Sequence, residues 1–94
     1  MQTDVFHYPP ELFELIVETI PLLNRSKKSV LLFFKGAGVQ ESLFKDLSDK
    51  LDTDKDSINK YEICRTILTR LNEKKETFIR ERREVLKRIV EFES

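Results

Sequence analysis

The sequence predicts an all-α fold, a compact bundle of about five amphipathic helices. Three observations predict it. Apolar residues recur at spacings of three and four through most of the 94 residues. Only two Gly and three Pro occur, all before Val39, so the later part lacks the turn punctuation that a sheet of short strands needs. The one unbroken apolar run has no second run to pair with as a strand.

Pro9 and Pro10 followed by Glu11 mark a helix start, because Pro at the first helical position loses no bonded amide and an early Glu suits the positive end of the helix dipole. Leu12, Phe13, Ile16, Val17 and Ile20 then share one face, giving a helix from about Pro10 to Ile20. Pro21 is expected to end or kink it, since its ring removes a hydrogen bond and crowds the preceding turn. Ser26 or Ser29 caps a second element, the run Val30 to Phe34, before Gly36 and Gly38. Without a partner strand, a short buried helix closed by glycine is the better reading. Gln40 to Leu51 sets Leu43, Phe44, Leu47 and Leu51 opposite Glu41, Lys45, Asp46, Asp49 and Lys50, a third helix. Asp52 to Asp56 reads as a loop. Ser57 is the expected cap of a fourth helix through Ile58, Tyr61, Cys64, Ile67, Leu68 and Leu71 to Asn72. After Asn72 to Lys75 a last helix carries Phe78, Ile79, Val85, Leu86, Ile89, Val90 and Phe92 on its apolar side.

Residues 1–94 form a single helical domain with an N-terminal arm over 1–9, and its core is small, since a chain this short buries only roughly 60 to 65% of the surface its unfolded form exposes. Hydrophobic residues are 39% of the chain and charged residues 36%, too apolar for a disordered segment. The one cysteine, Cys64, has no partner for an internal disulfide or a thiolate metal site, which makes the cytoplasm the simpler compartment. No run approaches a membrane span, and Met1 to Tyr8 lacks the pattern of a secretory leader. Formal net charge is zero. The halves differ, however: Met1 to Asp56 holds seven basic and ten acidic residues, Ser57 to Ser94 ten and seven. This weak dipole suits a protein partner or self-association better than a dedicated nucleic-acid surface.

No motif supplies a catalytic centre, cofactor or metal site. Asp52, Asp54 and Asp56 resemble a calcium loop, but Ile63 stands where the bidentate Glu belongs, Glu62 is one place early, and Ser57 replaces the turn Gly. Those acids read instead as a solvated loop favouring the following helix start. His7, the only histidine, reads as an arm residue packing on the first helix, and Cys64 as a small buried hydrophobe. Gly36-Ala37-Gly38 has no preceding strand and no Lys-Ser/Thr, so it is a helix terminus and not a phosphate loop. Glu73-Lys74-Lys75 lacks the upstream Asp of a nuclease half-site. Arg80, Arg82, Arg83, Lys87 and Arg88, with Lys74 and Lys75, are the candidate partner-contact residues. Interleaved acids such as Glu84, four residues from Arg80 and from Arg88, predict a face laced with ion pairs. The last helix reaches Ser94 with no Gly or Pro stop, which suggests a truncated chain or a helix that runs on into a following domain.

Several stretches carry a resemblance: Phe6 to Leu12 (FHYPPEL), Ile20 to Leu23 (IPLL), Ser26 to Val39 (SKKSVLLFFKGAGV), Ile58 to Ile63 (INKYEI) and Arg80 to Glu93 (RERREVLKRIVEFE). Together they resemble the helical N-terminal region of bacterial restriction-endonuclease-like and related defence proteins. In such proteins the region precedes a separate effector or nuclease domain, which implies recruitment, sensing or assembly for this chain. A looser likeness is to death-fold modules, including effector-associated and caspase-recruitment-like domains, from whose six helices this chain departs unless Pro21 splits the first. The functional expectation is a non-catalytic interaction or assembly module of a prokaryotic defence protein. The alternative is a helical DNA-binding domain using the helix from Ser57 or the last helix.

Overall fold

The computed structural model describes residues 8–73 and 78–93. They form α1 (Pro10–Leu23), α2 (Lys27–Gly36), α3 (Lys45–Asp54), α4 (Lys60–Glu73) and α5 (Ile79–Glu93), with 3-10 turns at Glu41–Leu43 and Lys55–Ser57 and no strand among the described residues. The all-α bundle expected from the sequence is the observed fold. His7, Lys74, Lys75 and the side chain of Phe92 lie outside the described residues.

α4 is the helix the others pack around, touching α1, α2 and α5, because its buried positions Ile63, Cys64, Ile67, Leu68 and Leu71 make one continuous stripe. Four of these five are Ile or Leu, each worth roughly 1.5–3 kcal/mol on full burial, so this stripe is the main hydrophobic anchor. Ile16, Val17 and Ile20 of α1 and Val30, Phe33 and Phe34 of α2 complete the centre, with the Phe33 and Phe34 rings edge to face at 5.6 Å. The apolar run Val30 to Phe34 is thus helical, as its lack of a partner strand implied.

Helix α1 does not stop at Pro21. It runs two residues further, and Pro21 is buried inside it. The carbonyls of its last turn find side-chain donors: Asn24 Nδ2 donates to Ile20 O at 2.9 Å, and Lys60 Nζ donates to Pro21 O at 3.0 Å and Asn24 O at 2.9 Å. These bonds satisfy carbonyls that the end of the helix leaves without intrahelical donors. The first helix is therefore not split in two.

Ser26 caps α2 through a reciprocal box, its Oγ accepting from Ser29 N–H at 3.1 Å while Ser29 Oγ accepts from Ser26 N–H at 3.0 Å. At the other end Gly38 N–H donates to Lys35 O and Val39 N–H to Phe34 O, a Schellman closure with Gly38 at φ +92° and Val39 buried behind it. Two boundaries differ from the sequence reading. Asp52 and Asp54 belong to α3 and not to a loop, because the helix starts late, after the 3-10 turn, and runs to Asp54. Asn59, not Ser57, caps α4: Asn59 Oδ1 accepts from Glu62 N–H at 2.9 Å and Glu62 Oε1 accepts from Asn59 N–H at 3.0 Å. Ser57 instead donates to Asp54 O at 2.8 Å.

Candidate interaction surface

The basic residues predicted to form one face of the last helix separate into two groups. Arg82 is wholly buried, in line with Val85 and Ile89 on the inner side of α5. Its Nη1 donates to Leu71 O, satisfying a carbonyl in the last turn of α4, and burial pulls its pKa below the ordinary arginine value. Tyr8 Oη donates to Arg82 O at 2.5 Å, so the residue joins the arm, α4 and α5. Arg82 as a solvent-facing contact is therefore a correction: spacing of three and four from Phe78 through Val85 to Ile89 carries it inward.

Arg88 is half-buried, and its guanidinium lies against the end of α2, where a Cβ added at Gly36 would meet it at 3.4 Å. A cation there faces the negative end of the α2 dipole. Its Nε is buried without a hydrogen-bond partner among the described residues. Arg80, Arg83 and Lys87 are exposed, together with Glu91, while Glu81 and Glu84 are half-buried. Once Arg82 and Arg88 turn inward, three cations stand with three carboxylates among the described side chains, and the outer face of α5 is mixed in sign and not basic.

That face holds a shallow groove of about 390 Å³ lined by Arg83, Leu86, Lys87, Val90 and Glu91. Its walls are largely apolar, and Val90 is 60% exposed. Arg83 lies toward one end and Glu91, eight residues on, toward the other. α4 offers no comparable basic edge. Arg65 is engaged by both oxygens of Glu14 at 2.9 Å, which holds the Glu14 carboxyl below its ordinary pKa. Arg70 is engaged by Asp46 at 2.8 and 2.9 Å, lowering the Asp46 pKa likewise, and also donates to Leu43 O.

Cys64 is completely buried, and burial pushes its thiol up to about 12, outweighing the downward pull of the Lys60 charge. A thiol in that state is not a nucleophile at neutral pH. Among the described residues no three His, Cys, Asp or Glu side chains gather closely enough to hold a metal ion, and no helix is long and apolar enough to cross a membrane.

No protein-family model, no curated protein and no solved structure matches the chain.

Proposed function

We propose that this chain is a non-catalytic helical interaction module that assembles with a second copy through the outer face of α5. The observation that carries the proposal is the self-complementary layout of that face, with Arg83 toward one end, Glu91 toward the other, and Leu86 and Val90 between. In an antiparallel pair each Arg83 meets the other copy's Glu91 while the apolar pairs stack, which is the geometry of an isologous two-fold contact. Lys87, near the middle, has Glu84 and Glu91 within helical reach of its flexible stem. The patch is small, so the contact belongs to the weak, transient class, with Kd on the order of 100 µM.

The prokaryotic-defence setting, beside an effector such as a nuclease, is proposed on the sequence likeness alone, as is a cytoplasmic location. DNA binding is the weaker reading, since α4's Arg65 and Arg70 are held by carboxylates and α5 presents as many acids as bases. Sedimentation equilibrium across concentration tests the proposal. A reversible monomer–dimer equilibrium that Val90→Asp abolishes supports it; a strict monomer at millimolar protein contradicts it.

A further inference from the structure

A second cavity, about 430 Å³, lies between the α1–α2 junction, α3 and the start of α4, and shares no lining residue with the α5 groove. Arg25, Lys27, Lys28 and Lys60 line it, with Leu51 and Asp52 on the α3 side. Arg25, Lys28 and Lys60 alone set three cations beside one carboxylate, Asp52, in a chain of zero formal net charge. Cations held close together repel, and an anion among them relieves that repulsion.

Lys60 is fixed in place. Its Nζ already donates to Pro21 O and Asn24 O, and an ammonium has three donors, so one N–H remains while the side chain's freedom is already spent. A ligand meeting Lys60 therefore incurs little ordering cost there. Arg25 and Lys28 are exposed at the rim. Arg25 supplies a planar fork suited to phosphate oxygens, and Lys28 a mobile point charge. The volume falls within the range of small-ligand sites.

We propose that this cavity binds a small phosphorylated molecule that also carries a hydroxyl or amine. The phosphoryl group sits among Arg25, Lys28 and Lys60. Asp52 would repel a bare anion, and it accepts a hydrogen bond from the ligand's own donor, which gives the site selectivity beyond charge. Leu51 offers an apolar wall, and no aromatic ring among the described residues lines the cavity to stack a nucleobase, which separates this chemistry from single-stranded nucleic acid.

Amide chemical-shift titration of the full chain with ribose 5-phosphate and with inorganic pyrophosphate, at ionic strength matched with sodium chloride, tests the site. The expected result is saturable shifts centred on Ser26 to Ser29 and on Lys60. Arg25→Glu with Lys28→Glu weakens ribose 5-phosphate binding by at least about tenfold. Arg83→Glu with Lys87→Glu leaves it unchanged, which keeps this outcome distinct from the fate of the α5 contact. Asp52→Asn strengthens pyrophosphate relative to ribose 5-phosphate. Shifts that chloride alone reproduces, no saturation with either compound, or full retention in the Arg25/Lys28 variant overturns the proposal. So does binding to phosphatidylglycerol vesicles without binding of either free phosphate compound, which would make this a membrane-facing patch.

Discussion

The buried guanidinium of Arg82 donates to the main-chain carbonyl of Leu71, so a residue on the most basic helix of the sequence serves to close the end of its neighbour. Tyr8 reaches the same place from the arm. Its N–H donates to Asn72 Oδ1 at 2.8 Å, Asn72 Nδ2 donates back to Tyr8 O at 3.1 Å, and its hydroxyl donates to Arg82 O. Three segments far apart in sequence are locked at one point, and charge that looks available for recognition is structural.

Arg82→Ala is therefore expected to destabilise the fold by about 3 kcal/mol, through the unpaired Leu71 carbonyl and the cavity left behind. Arg83→Ala, one residue along and exposed, is expected to stay within about 0.5 kcal/mol of the parent. Urea denaturation of both variants measures the difference. Equal losses would show that Arg82 is not buried as described.

Alkaline stability should report on Cys64. The thiol titrates at 9.0 when solvated and at about 12 when folded, so between those values the unfolded chain releases a proton that the native chain keeps. Stability from this group is complete below about pH 9 and falls as pH rises above it. The Tyr8 phenol, also raised by desolvation, adds loss at higher pH. Cys64→Ala lowers stability throughout but should flatten the decline of the urea midpoint between about pH 8 and pH 10.5. An unchanged slope would contradict a buried, protonated thiol.

The two glycines should respond oppositely to alanine. Gly38→Ala puts a Cβ on a left-handed backbone and should cost about 1 kcal/mol although the space around it is open. Gly36→Ala meets the Arg88 guanidinium only at ordinary contact distance and gains helix propensity, so it should be neutral or stabilising by about 0.5 kcal/mol. Thermal melts of the two variants decide this, and matching effects would count against the Schellman closure.

At the start of α4, Asn59→Ala should cost about 1 kcal/mol by opening the reciprocal cap, whereas Ser57→Ala should change stability by less than about 0.5 kcal/mol. The ranking in urea is the check. A larger effect at Ser57 would restore it as the cap.

Periodicity made the helices legible, because burial of one face is the force that forms them. The stripe Ile63, Cys64, Ile67, Leu68 and Leu71 could be read directly, and so could Val30 to Phe34 as a helix. Caps were harder to place. Ser57 and Asn59 are both good cap types two residues apart, and only the backbone decides which one faces Glu62. The continuation of α1 past Pro21 was hidden, because Lys60, thirty-nine residues away, caps the Pro21 carbonyl, a contact that no local rule reveals. Arg82 could have been found: the spacing Phe78, Arg82, Val85, Ile89 is that of an inward stripe, but an arginine is assigned to solvent by default. The cationic cavity was out of reach, since its walls come together from three parts of the chain.

The most direct test of the α5 assembly is a charge swap read by sedimentation equilibrium. Arg83→Glu alone and Glu91→Arg alone should each weaken self-association by about tenfold or more, and the double variant should recover most of it, because the antiparallel pair again sets unlike charges together. Single variants that associate like the parent, or a double variant weaker than either single, would contradict the proposed contact.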